Sequence, residues 1–150
     1  NAGFSSAPEN RLYLPPVPEP EYQPGKVNVA SQQQDNASLL NQIRKFIRLR
    51  QENPVLGTGG FSWLEAAEPS IAAYWRWDKA TVFLAVHNLS ASPQQIQLSQ
   101  PYLPSSAGLD LFTNEPVSDF GAWTIQPYAF RWLKFPRSAF PTFPDQETLP

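Results

Sequence analysis

The sequence predicts a mainly β protein: one amphipathic helix followed by an antiparallel β-sandwich, with a proline-rich arm in front. Three observations predict it. Between Asp35 and Pro54 apolar residues recur at helical spacing and stop at a proline. After Gly57, Gly59 and Gly60 the period shortens toward two, in short runs bounded by turn residues. Residues 1–34 hold Pro8, Pro15, Pro16, Pro18, Pro20 and Pro24 and show little periodicity.

The arm is expected to run extended over a surface, because proline fixes φ and lacks an amide donor. Its apolar residues, among them Leu12, Tyr13, Leu14, Val17 and Tyr22, point to a segment that packs on something. The helix follows, with Asp35 or Asn36 as the expected N-cap. Leu39, Leu40, Ile43, Phe46 and Ile47 form one apolar face, while Arg44, Lys45, Arg48 and Gln51 fall mostly on the other. Pro54 cannot continue the helix and disfavours helical geometry at Asn53. Arg48 and Arg50 suit the negative end of the helix dipole.

The expected strands begin with Phe61–Glu65. Ser70–Trp77 comes next, with Ile71, Ala73, Trp75 and Trp77 pointing one way. Asp78-Lys79-Ala80 reads as a hairpin turn into Thr81–Asn88, the most hydrophobic strand. Gln94–Leu98 alternates as a half-exposed strand does. Leu109–Phe112 and Trp123–Ile125 carry weaker signals, and Phe130–Phe135 closes at Pro136. Short strands at this spacing imply an antiparallel sandwich or barrel. The chain from Ser138 onward reads as a tail or linker.

Composition narrows the function. The chain has 150 residues, 41% of them apolar and 13% aromatic, enough for one packed core. A net charge of −2 removes the basic footprint that nucleic-acid binding needs. No apolar run approaches the roughly 18 residues of a membrane span. There is no cysteine, hence no disulfide, no thiolate nucleophile and no cysteine-ligated metal, which fits a cytoplasmic protein best, although a cysteine-free exported domain would look the same. There is also no methionine, so Asn1 reads as the start of a cut piece, the alternative being a processed small protein.

Candidate chemistry is sparse. His87 is the only histidine, and its place in a core strand favours a structural role. Glu65 with Glu68, and Asp110, Glu115 and Asp119, could be read as paired acids, but their turn-rich surroundings favour solvated carboxylates. No calcium-loop spacing or histidine cluster suggests a metal. No residue stands out as catalytic, and no cofactor is implied. Trp63, Trp75, Trp77, Trp123 and Trp132 admit two readings. Indoles stack on the C–H faces of pyranose rings, so Trp75 and Trp77, on one face, could form a sugar platform. Core packing is the commoner use of such rings.

Several blocks resemble trehalose synthases, maltose-isomerising members of the α-amylase superfamily of glycoside hydrolases. NAGFS (Asn1–Ser5) with RLYLPP (Arg11–Pro16) is similar to the loop after their last barrel strand. EPEYQPGKVNVASQQQD (Glu19–Asp35) resembles their run into the final barrel helix. SLLNQIRKFIRLRQENPVLGTGGF (Ser38–Phe61) resembles that helix and the entry to the C-terminal domain. VFLAVHNLS (Val82–Ser90), DLFTNEP (Asp110–Pro116) and PYAFRWLKF (Pro127–Phe135) resemble its strands. Part of this pattern is shared with oligo-1,6-glucosidases and sucrose isomerases; RLYLPP and the acidic-aromatic stretch after it favour trehalose synthase. Asn114 stands where a glycine often follows the threonine, and His87 where a second asparagine is expected.

The resemblance implies that residues 1–55 end a catalytic TIM barrel, 56–136 form the C-terminal β-domain and 137–150 a tail. It implies a parent that converts maltose to trehalose by intramolecular glucosyl transfer. The catalytic carboxylates would lie on barrel strands outside this chain, leaving it inactive alone. Its expected partner is that barrel, with self-association through the helix and the arm. The alternatives are a carbohydrate-binding β-sandwich module, or the C-terminal part of an α-glucosidase or sucrose isomerase.

Overall fold

The computed structural model describes residues 8–15, 17–98 and 103–140. They divide into two compact units, Asn1–Glu52 and Asn53–Pro150.

The first unit is helical. Two 3-10 turns, Glu9–Arg11 and Pro20–Tyr22, interrupt the proline-rich arm. A short helix α1, Val29–Gln34, precedes the long helix α2, Leu39–Glu52. The extended conformation expected through residue 34 therefore ends at Asn28. The reason is local: no proline lies between Pro24 and the end of α1, and the Asn28 side chain caps α1 by accepting from the Ser31 amide at 2.8 Å.

Helix α2 also starts later than expected. Asp35 accepts from the Ala37 amide at 2.8 Å and shapes a turn rather than the helix end. Ser38 takes the capping role, its hydroxyl oxygen accepting from the Asn41 amide at 3.3 Å, while the Gln32 side chain accepts from the Leu40 amide at 3.1 Å. In return Asn41 donates to the carbonyls of Gln32 and Asp35 at 2.9 and 2.8 Å. Carbonyls left open at the end of α1 are thus satisfied by the first turn of α2. The helix stops at Glu52, two residues before Pro54.

The second unit is the β-domain. It opens with one helical turn, α3, Val55–Thr58. Eight strands follow: β1 Gly60–Trp63, β2 Ile71–Trp77, β3 Thr81–Asn88, β4 Gln94–Ile96, β5 Gly108–Asp110, β6 Pro116–Val117, β7 Trp123–Ile125 and β8 Phe130–Pro136. Six form an antiparallel sheet in the order β1-β2-β3-β8-β5-β6, and β4 pairs with β7 in a second, smaller sheet. Strand β6 is the one the sequence reading did not anticipate; two residues give no period to read.

The two sheets sandwich one core. The inward residues of β2 (Ile71, Ala73, Trp75, Trp77), β3 (Val82, Leu84, Val86) and β8 (Leu133, Phe135) meet Ile96 of β4 and Trp123 and Ile125 of β7. The central strand β3 is covered on both sides, because Phe83 and Ala85 pack against Val55 and Leu56 of α3 on the outer face. That double burial explains why TVFLAV is a continuous apolar run. It also makes α3 part of the β-domain, so Val55 sits with the sheet rather than with the helical segment.

The expected tail is not loose where the structure describes it. Residues Arg137–Ala139 form a 3-10 turn, and Ala139 and Phe140 are buried. The Phe140 ring packs edge-on against Trp75 at 5.5 Å and Phe135 at 5.2 Å. The apolar pair Ala139-Phe140 extends the core one turn past the last strand. Residues 141–150 of the tail lie outside the described residues, as do Asn1–Ser5 of the family pattern.

Candidate functional site

Chemistry in a sandwich of this kind can sit on the outer face of the large sheet, in clefts at its margins, or in polar groups buried between the sheets. Trp75 and Trp77 belong to none of these. They are 0% and 1% exposed, inside the core, and offer no ring face to a sugar.

The acids separate. Asp110 is buried, not solvated as its context suggested, and its carboxylate accepts from the amides of Phe112 and Thr113 at 2.9 and 3.3 Å. It therefore builds the turn after β5. The chain then passes through Asn114, whose φ is 61°, the left-handed region that asparagine tolerates in place of the missing glycine. Glu115 and Asp119 border an open cleft of about 450 Å³ with Arg131. Glu65 and Glu68 border another, of about 620 Å³, with Gln94, Gln95 and Gln97. Among the described residues, no group of three or more histidines or acids could hold a metal ion.

His87 stands on the outer face of β3, directly opposite Phe130 of β8. Its ring lies nearly parallel to Tyr74, 12° at 6.3 Å, and to Phe130, 26° at 5.9 Å. The Trp132 indole N–H donates to His87 Nε2 at 3.4 Å. Burial lowers the pKa of His87 from its ordinary value, which keeps Nε2 free to accept that bond. These contacts are those of a packing histidine.

The residue that sequence reasoning missed is Asn88, one position on and fully buried. Its side-chain amide donates to the carbonyls of Ser92, Ile125 and Gln126 at 2.7, 3.0 and 3.0 Å. Its oxygen accepts from the Ser90 amide and hydroxyl at 2.9 and 2.8 Å. One side chain thereby ties the end of β3 to the end of β7, across the two sheets. Its inward place in the strand alternation, with an amide at a core position, was the available signal.

The outer face is aromatic. Phe61 and Trp63 of β1 meet Tyr74 of β2 at ring separations of 5.5 and 5.9 Å. Farther across, Phe112 contacts Phe130 and Trp132 at 4.7 and 5.5 Å. Two cations share this face: Arg76, which donates to the Gly59 carbonyl at 2.9 Å, and Lys134, which donates to Asn53 at 2.7 Å. Both are spent on holding the α3 segment to the sheet.

This two-layer antiparallel sandwich, entered through a single helical turn, is similar to the C-terminal domains of the α-amylase family. The family described as "Maltogenic Amylase, C-terminal domain" matches residues 61–132. More particularly, the chain is similar to the C-terminal portion of trehalose synthases. It is 43% identical over 101 residues to the trehalose synthase/amylase TreS of Mycobacterium tuberculosis, a match covering 65% of this chain and 17% of that protein. It is 30% identical over 142 residues to the trehalose synthase of Pimelobacter sp., covering 89% and 25%. For the trehalose synthase of Thermus thermophilus the figures are 33% over 131 residues, 85% and 14%. The chain thus matches a quarter or less of the length of these relatives. The fold is also that of part of the trehalulose synthase MutB from Pseudomonas mesoacidophila MX-45, with a TM-score of 0.62 at 24% identity over 77% of this chain and 20% of that one.

Proposed function

We propose that this chain is the non-catalytic C-terminal part of a cytoplasmic, trehalose synthase-like enzyme whose whole polypeptide isomerises maltose to trehalose. The observation that carries the reading is the 43% identity over 101 residues to a trehalose synthase/amylase. The reaction needs two carboxyl groups about 5–5.5 Å apart across the scissile bond. One attacks the anomeric carbon as the other protonates the departing 4-oxygen, which breaks the α-1,4 bond and leaves glucose on an aspartate. The released glucose then attacks that carbon through its 1-hydroxyl, losing a proton to the second carboxylate; the bond to the aspartate breaks, the aspartate leaves as a carboxylate, and the α-1,1 bond forms. No residue of this chain is given a role in those steps. Asp110 is committed to a turn, and Glu65, Glu68, Glu115 and Asp119 border open clefts.

The role left to the chain is mechanical. The β-domain would hold the flank of a catalytic barrel, with the aromatic outer sheet face and the apolar stripe of α2 available to it. Expression of the complete gene product tests this: it should convert maltose to trehalose with little free glucose. Release of glucose as the main product would assign the parent to the α-glucosidases instead.

A further inference from the structure

We propose that the open edge of strand β1 pairs with the same strand of a second copy of this chain, joining two six-stranded sheets into one. This goes beyond the scaffold role and does not depend on it.

The phase of the β1–β2 ladder fixes which backbone groups of β1 face outward. The Leu64 amide donates to the Ala73 carbonyl at 3.0 Å, so Leu64 and Ala73 are a hydrogen-bonded pair. Antiparallel pairs alternate in type, and the register sets Phe61 against Arg76 and Trp63 against Tyr74. Phe61 and Trp63 therefore turn their N–H and C=O groups away from β2, toward the sheet edge. Among the described residues these two amides meet no acceptor, and the sheet ends there.

The two edges of the sheet differ. The far edge, β6, is two residues long, begins with Pro116 and follows Glu115. Those are the features by which proteins blunt an edge. Strand β1, Gly60-Phe61-Ser62-Trp63, has no charge, no proline and no bulge, and it pairs one-to-one with β2 along its length. Its side chains on the outer face are also uncovered: Phe61 is 41% exposed and Trp63 64%.

The edge is complementary to itself. A two-fold axis perpendicular to the sheet, midway between the Ser62 residues of the two copies, places Phe61 of each copy opposite Trp63 of the other. Both residues of each pair then face their partner with N–H and C=O groups, giving four backbone hydrogen bonds. The rings of both copies lie on the same outer face, where aromatic cross-strand pairs add stability. Alternating donors and acceptors at strand spacing call for another strand; a sugar or a helix does not supply them. A four-residue edge buries less than a standard interface, so the pairing is weak and concentration-dependent.

Sedimentation velocity of the 150-residue chain, from low micromolar to near-millimolar concentration, tests the proposal. A monomer–dimer equilibrium is expected. Trp63→Pro removes an edge donor that β2 does not use, and Trp63→Lys adds a charge there while keeping the donor. Each should raise the dimer dissociation constant by about tenfold or more. Hydrogen exchange gives the direct signature: the Phe61 and Trp63 amides should gain protection as concentration rises. Should Trp63→Pro fail to fold, Trp63→Lys and the exchange data decide. A chain that stays monomeric, a dimer unaffected by Trp63→Lys, or a dimer dissolved by Ile47→Asp with the β1 amides still exchanging freely would overturn the proposal.

Discussion

Three residues show how single positions set the stability of this domain. Asn88 satisfies three carbonyls with one amide, so Asn88→Ala leaves buried acceptors without donors and should cost about 3 kcal/mol, measured by urea unfolding. Tyr128 follows Pro127 in a turn closed by the Ala129 amide on the Gln126 carbonyl at 3.0 Å, and its φ is 56°. A glycine suits that position and the Tyr128 ring is exposed, so Tyr128→Gly should stabilise by roughly 0.5–1 kcal/mol. His87 has a depressed pKa in the fold, so it binds fewer protons there than in the unfolded chain. Its contribution is intact above its ordinary pKa of about 6.5 and is lost as pH falls through the folded value. The melting temperature of the wild type should therefore drop more between neutral and mildly acidic pH than that of His87→Asn. Equal slopes would show that the Trp132 contact is indifferent to the charge on His87.

At the scale of elements, what was legible followed from period and punctuation. The strands β2, β3, β7 and β8 stand where alternation and turn residues put them, and α2 ends where Pro54 requires. What escaped was decided by single contacts between segments close in space. The start of α2 depends on Ser38 and Gln32 rather than on the nearest acidic cap, and α1 appears because Asn28 starts a helix in a segment dominated upstream by proline. The Ala139-Phe140 extension looked like tail because one of its partners, Trp75, lies far away in sequence. Site reading divided the same way. The alternation placed Trp75 and Trp77 on one side, but not which side was covered; the small β4–β7 sheet buries that side and leaves Trp63 outward. Trp75→Ala and Phe140→Ala should each cost about 3–5 kcal/mol, enough to unfold a marginal domain at ambient temperature. Native-like melting of either variant would contradict the placement of that ring in the core.

For the whole molecule, the function proposed above is a division of labour: a β-sandwich that supports, and chemistry carried elsewhere in a longer polypeptide. The sandwich's hydrogen-bonding acids and amides, Asp110 and Asn88 first among them, are committed to turns and sheet junctions, and its aromatic surplus is laid out as packing surface. The helical unit keeps an apolar stripe, Leu39, Ile43 and Ile47, exposed, as a surface meant for covering does. The most direct measurement is to incubate the purified 150-residue chain with maltose and follow the anomeric proton signals by NMR. The spectrum is predicted to stay that of maltose, with neither trehalose nor added glucose above blank. Turnover that co-purifies with the chain and disappears on Glu65→Gln or Glu115→Gln, with the fold intact, would contradict the account.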